Sequence, residues 1–223
     1  MAHPDGYVLT SLPDLTDAGG PRFDNLPNDP HCTNRYRRFS QFEIFWRSIG
    51  EWSLSILPSR PLIQSKQYNS FVGGKLRYYE QLHFDPTRVV NSIARIAQLD
   101  TDTTWQIDVH QWRTVAASGS VSNSVPEGAH QDGHDIVAIL VIKRNNICGA
   151  ETTLYNLDDT PFWSGIIPEN HVMILNDRKM KHFTSPITSN TNGFRDILVV
   201  GFSRWNQKKY GLDFEHHAMS ESA

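Results

Sequence analysis

The chain has no apolar run approaching the roughly 18 residues that a membrane-spanning helix requires. It has only two cysteines, Cys32 and Cys148, too few for a disulfide framework, and no Asn-X-Ser/Thr site. The opening "MAHPDGYVLT" lacks the basic and apolar stretches of a secretory leader, so a cytoplasmic protein without a membrane partner is the expectation. Basic charge is not in excess. Against 24 acids stand 21 Lys and Arg, for a net charge of -3, and the one basic cluster, "RYRR" at 35–38, is too short for a stripe that tracks phosphates. A nucleic-acid partner is therefore not expected. Internal repeats and low-complexity segments are missing too.

What remains is an aromatic-rich chain of 223 residues, enough for one domain with a substantial core. Residues 1–34, rich in Pro, Asp, Gly and Asn, read as an irregular arm, and 206–223, with the "HH" at 216–217, as a C-terminal tail. "RRFSQFEIFW" (37–46) alternates aromatic with polar positions, as a strand does. "PTRVVNSIARIAQL" (86–99) is the clearest helix, with Pro86 in its first turn and Val89, Ile93, Ile96 and Ala97 on one face. After residue 104 come short β-branched and aromatic runs at 105–117, 135–142, 151–157, 171–176 and 196–204, divided by turn residues. That spacing predicts a mainly β fold with flanking helices, a sandwich or jelly roll. Cys148, beside Gly149, reads as a small packed residue in a turn.

Chemistry concentrates in "VPEGAHQDGHD" at 125–135, which leads into the apolar run "IVAILVI". In extended chain, residues i and i+2 share a side, so His130 and Asp132 project together. An imidazole and a carboxylate are two-thirds of the triad that holds non-heme Fe(II) with one face open. The third ligand has to come from elsewhere in the fold. His182, fifty residues beyond Asp132 at the end of another apolar run, is placed to supply it. Arg195 then enters the last apolar strand, where a lone guanidinium needs an anionic partner. A dicarboxylate would pair with it through two parallel hydrogen bonds. Each residue taken alone has an ordinary explanation: a solvated turn, a structural histidine, a surface ion pair. His130 and His134 also stand at the i, i+4 spacing of a zinc protease, but the Glu that should follow the first His is absent and Gly133 disfavours a helix. In an extended strand His134 would still face the metal side.

The blocks "PEGAHQDGHD", "NDRKMKHFTSPI" and "GFRDILVVGFSR" together resemble Fe(II)/2-oxoglutarate-dependent dioxygenases, in particular the L-isoleucine dioxygenase-like branch that hydroxylates free amino acids. "NLPNDP…RYRRFSQF" and "QYNSFVGGKLRYYEQL" extend the likeness over roughly residues 25–205. A bare His-X-Asp is common by chance; three blocks in order with matching gaps are not. The resemblance implies a double-stranded β-helix of the cupin-like jelly-roll type, with Fe(II) held by His130, Asp132 and His182. It implies O2 and 2-oxoglutarate as co-substrates, the distal carboxylate of the latter on Arg195. Where relatives read "H-x-V-T-P-I", this chain has "HFTSPI", so Ser185 carries the hydroxyl expected to assist Arg195 and Thr184 replaces an apolar residue. The implied activity is hydroxylation of an unactivated C–H of a free aliphatic L-amino acid, with release of succinate and CO2. Desaturation or ring closure by the same oxidant, a peptide substrate, and a non-catalytic cupin-like binding module stand as alternatives.

A free amino acid carries a carboxylate and an ammonium group, so its pocket should offer a cation and an acid. Arg113, on the alternating "DVHQWRTV", is the first candidate for the carboxylate and Glu127 for the ammonium. Ser124, Trp112 and Arg77 are further candidates for substrate contact, from placement and likeness.

Overall fold

Extended segments alternate their side chains between two faces, and here nearly every long strand has something to bury on both. The computed structural model describes residues 5–12, 20–48, 50–69, 72–123 and 125–220. In chain order the elements begin with β1 (Tyr7–Ser11), β2 (Arg35–Arg47), β3 (Glu51–Ile56), α1 (Thr87–Ile96), β4 (Trp105–Ala116), β5 (Val121–Ser122) and β6 (Ile136–Asn145). They continue with β7 (Cys148–Gly149), β8 (Glu151–Tyr155), β9 (Pro161–Ile166), β10 (His171–Leu175) and β11 (Lys181–Thr184). The last are β12 (Ile187–Thr188), β13 (Gly193–Arg204) and helix α2 (Leu212–Ser220).

Seven strands form one antiparallel sheet in the order β1-β10-β6-β13-β4-β2-β3. Its outer face packs Phe42, Ile44, Ile107, Val109, Leu140, Leu198, Val200 and Phe202 against Val89, Val90 and Ile93 of α1. On the inner face Val137, Ile139, Val141, Met173, Ile197 and Val199 meet Leu154 of the smaller sheet β11-β8-β9. A third sheet, β5-β12-β7, closes one end. Burial on two faces explains why "IVAILVI" is apolar throughout instead of alternating. Toward β4 and β2 the inner face changes from apolar to polar, and the cavity lies there.

Two boundaries differ from expectation. The N-terminal arm is not wholly irregular: β1 adds the edge strand beside β10, with Tyr7 opposite Leu175. The C-terminal segment is not a tail. Nε and Nη2 of Arg60 donate to Oε1 and Oε2 of Glu215 at 2.5 and 2.9 Å, and the Tyr210 hydroxyl donates to the Pro58 carbonyl at 3.0 Å. His216 and His217 lie within α2, which these contacts fix to the segment before the cavity. Nine residues form a marginal helix by themselves, so tertiary contacts decide that it exists. Cys148 is exposed on β7, not packed.

Candidate active site

The two histidines meet because their backbones pair. His130 N–H donates to the His182 carbonyl at 3.1 Å, and His182 N–H to the His130 carbonyl at 2.9 Å. His130 thus occupies one isolated bridge instead of a continuous strand, and the chain bends at Gly133 (φ +87) before entering β6. Asp132 reaches back between the rings: its Oδ1 lies 3.4 Å from His130 Nε2 and its Oδ2 3.7 Å from His182 Nε2. One ligand atom from each of the three residues falls within 4.8 Å of the others. The His130 ring donates from Nδ1 to the Gly128 carbonyl at 2.9 Å, which turns Nε2 toward the centre.

The electrostatics match a cation site. Burial alone would lower the His130 pKa, but the Asp132 and Glu127 carboxylates carry it up to about 9, favouring a positive charge at Nε2. Burial would raise Asp132, yet His130 and His182 hold it well below the usual carboxylate range. His182 is pushed down to about 4 by burial and by His130, so it offers a neutral ring. Asp132 and His182 thus stand in the protonation states a metal ligand needs, whereas His130 has to lose its proton before Nε2 can bind a metal.

Asp177, fully buried between β10 and β11, positions this group and was not among the expected residues. Its Oδ1 accepts the N–H of Asp132 at 3.1 Å, while Oδ2 accepts those of Gly133 at 2.7 Å and His134 at 3.0 Å. Its backbone carbonyl accepts from the Gln131 amide. Its Oδ1 also lies 4.0 Å from His182 Nδ1. Burial and the neighbouring Asp132 push the Asp177 pKa up, while those three N–H donors oppose them. The only sequence signal was an acid at the end of an apolar strand, within "NDRKMKH".

Arg195 lines the same cavity and is 4% exposed. Among the described residues its Nε and Nη2 have no hydrogen-bond partner. Burial and the nearby Arg144 push its pKa down to about 9. A guanidinium buried this far without an acid is costly unless a ligand supplies one. Ser185 does not face it. The Ser185 hydroxyl accepts the Glu151 N–H at 3.0 Å and ties β8 to the end of β11. Side-chain alternation instead turns Thr184, two residues from His182, into the cavity. Of the two hydroxyls in this segment, it is that of Thr184 that lines the cavity with Arg195.

Among the substrate candidates, Trp112, Arg77 and Glu127 line the cavity. Glu127 Oε1 lies 3.9 Å from His130 Nε2 and accepts from Asn69 Nδ2 at 3.1 Å. Ser124 lies outside the described residues. Arg113 does not reach the cavity. Adjacent to Trp112 on β4, it must point to the opposite face, where Nε and Nη2 donate to Asp196 at 2.6 and 2.7 Å. "RYRR" holds what was overlooked. Alternation along β2 sends Arg35 and Arg37 into the cavity, while Arg38 turns away to the Asn25 carbonyl and Glu80. Arg37 Nη2 donates to His110 Nδ1 at 2.6 Å, and the guanidinium lies 5.0 Å from the Trp112 ring. Burial pushes Arg37 down to about 10 and lowers Arg77. Asp29 serves this cluster: it accepts from Arg35 Nε at 2.7 Å and lies 3.9 Å from Arg37. His134, the decoy, turns its Nδ1 to the Ser203 hydroxyl at 2.9 Å and is not in the metal-type group.

Two imidazoles and one carboxylate leave half of an octahedral metal's positions open, here beside a guanidinium with no acid of its own. Enzymes that use ferrous iron together with a dicarboxylate keto acid are the class this defines. Residues 20–201 match the family model described as 2OG-Fe dioxygenase, and the chain belongs to that family. It is an Fe(II)/2-oxoglutarate-dependent dioxygenase, with O2 as the other co-substrate. It is 26% identical over 193 residues to L-isoleucine-4-hydroxylase of Bacillus thuringiensis, covering 80% of this chain and 79% of that one. The crystal structure of a bsmA homolog from Methylobium petroleophilum PM1 matches with a TM-score of 0.65 at 26% identity, over 77% of this chain and 72% of that one. The structure of IDO from Bacillus thuringiensis matches in fold, with a TM-score of 0.61 at 22% identity over 81% of this chain and 78% of that one. The architecture is accordingly the double-stranded β-helix of these oxygenases.

Proposed function

We propose that this enzyme hydroxylates an unactivated, aliphatic C–H of a free L-amino acid. In this reading His130, Asp132 and His182 hold the iron through two Nε2 atoms and one carboxylate oxygen. Bound there with 2-oxoglutarate and O2, iron supplies the oxidising power for C–H hydroxylation, with succinate and CO2 as co-products. Arg195, assisted by the Thr184 hydroxyl, pairs with the distal carboxylate of 2-oxoglutarate. Asp177 holds the backbone of the ligand loop still while this happens.

The observation that carries the amino-acid reading is the excess of buried cation on one cavity wall with an acid near the metal ligands. Arg37 and Arg77 are each 4% exposed; Nη2 of Arg77 donates to Gln64 Oε1 at 2.7 Å, but among the described residues the Nε of each guanidinium has no hydrogen-bond partner. A substrate α-carboxylate meets their need, and Glu127 receives the α-ammonium. The segment before α1 lies close over the metal loop: a Cβ on Gly133 would stand 2.7 Å from the Tyr68 ring. That cover favours a small molecule over a peptide. The likeness to L-isoleucine-4-hydroxylase agrees with this substrate class.

The test is direct. With Fe(II), ascorbate and 2-oxoglutarate, succinate should rise when the right amino acid is supplied, and mass spectrometry should find a product heavier by one oxygen. A product lighter by two hydrogens would favour desaturation or ring closure. Turnover with peptides and none with free amino acids would overturn the proposal.

A further inference from the structure

We propose that the end of the cavity at Asp108 recognises a side-chain terminus that donates an N–H, an amide or an ammonium group. The inference rests on the amino-acid reading above and narrows its substrate class.

The inward positions of β4 run Trp112, His110, Asp108. Trp112 stands opposite Arg37, whereas Asp108 stands opposite Gln41 on one side and Gly201 on the other. Four strand residues separate these backbones by about 13 Å, but the Arg37 guanidinium reaches back to His110, only two residues from Asp108. His110, midway, feels the charge of Asp132, so it lies on the metal side. A substrate anchored by its carboxylate at Arg37 and Arg77 would extend its side chain past the metal toward Asp108.

Asp108 is 1% exposed, yet only one of its oxygens is served. Oδ1 accepts from Gln41 Nε2 at 3.0 Å and also from Gln106 Nε2. Among the described residues no hydrogen bond reaches Oδ2; His134 Nε2 is 3.7 Å away. Lys209 lines this end as well, but its ammonium lies over the rings of Tyr68 and Phe214, at 5.3 and 5.5 Å from their centres. Burial raises the Asp108 pKa to about 7, against the pull of its two glutamines and of the Lys209 and Arg37 charges, so an N–H donor from the ligand would keep it a carboxylate. Gly201 leaves room for the His134 ring, which any Cβ there would meet at 2.4 Å, and so lets that ring lie beside Asp108 at this end of the cavity. A purely aliphatic side chain would leave Oδ2 facing hydrocarbon. Sites built around a buried polar group reject ligands that cannot satisfy it, here by about 10²-fold or more.

A panel of free amino acids with the intact enzyme decides. Glutamine, asparagine, lysine and ornithine are compared with norleucine, leucine, isoleucine and methionine for addition of one oxygen and coupled succinate. At least one nitrogen-ended substrate should exceed norleucine in kcat/KM by about 10²-fold, and comparing glutamine with lysine separates amide from ammonium. Asp108→Leu should reduce that ratio at least tenfold; if this variant does not fold, the wild-type panel decides alone. Equal or better turnover of an apolar amino acid overturns the inference and leaves the amino-acid hydroxylase reading standing. Oxidation of no free amino acid overturns both.

Discussion

Replacing Arg195 with methionine, unbranched and of similar reach, separates two effects that usually cancel. In the ligand-free protein the guanidinium is 4% exposed with Nε and Nη2 unpartnered, so its removal relieves a buried, uncompensated charge. Exchange of buried ionic groups for apolar ones of similar volume is neutral or stabilising by about 1–4 kcal/mol. The variant without 2-oxoglutarate should therefore melt at or above the wild-type temperature. With 2-oxoglutarate the sign reverses. A bidentate pair to a carboxylate comprises two charge-assisted hydrogen bonds at roughly 1.5–3 kcal/mol each, or about 3–6 kcal/mol together. At 1.4 kcal/mol per decade that is about 10²–10⁴-fold in 2-oxoglutarate affinity. Thermal melts with and without 2-oxoglutarate, joined to succinate formation against 2-oxoglutarate concentration, read both halves. A wild-type KM for 2-oxoglutarate in Arg195→Met would refute the reasoning, and a lower melting temperature of the ligand-free variant would show that Arg195 has a structural partner.

Three further outcomes follow from the geometry. Asp177→Asn keeps the shape but gives up one carboxylate oxygen among three N–H donors, so metal affinity should fall about 10–100-fold while the KM for 2-oxoglutarate holds; titration with Mn(II) or Co(II) checks it, and unchanged affinity contradicts the role. His130, with a pKa raised from 6.5 to about 9 in the metal-free protein, stabilises that state fully below 6.5 and ceases to as pH passes about 9. Metal binding must expel this proton, so affinity should rise with pH through that window by up to about tenfold per unit, with close to one proton released per metal near neutral pH; titration in weakly buffered solution measures the release, and none would contradict the assignment. Gly201→Ala sets a Cβ 2.4 Å from the His134 ring, whose backbone Asp177 holds, and should cost about 1–3 kcal/mol in denaturant unfolding; a wild-type midpoint would mean that His134 moves freely.

How much was legible in the sequence depended on whether a signal was local. β-branched and aromatic runs between turn residues revealed β2, β4, β6, β8, β10 and β13 but not the short β5, β7, β9, β11 and β12, and the helix near 86–99 was visible as one apolar face. His130 and Asp132 were readable because two positions in extended chain share a side. Arg113 was misassigned for want of the same rule: next to Trp112, it cannot share that residue's face. Ser185 stands out of step with His182 in the same way, and alternation turns Thr184 into the cavity while Ser185 bonds Glu151. "RYRR" was dismissed as too short for a charged surface, and its length was beside the point, because alternate arginines enter a cavity that composition cannot reveal.

Residue order alone carried the longer strands, the apolar runs and the pairing of His130 with Asp132, because those depend on neighbours a few residues apart. Only the tertiary structure decided that His182 pairs with His130 across one backbone bridge, that Asp177 gathers three amides of the ligand loop, and that α2 is a helix tied to Arg60. These contacts join residues distant along the chain, and no local propensity encodes which distant strand will lie alongside. Charge shows the same division. Residue types fix how many arginines exist, but only folding fixes which of them, such as Arg195, are buried in the cavity away from water.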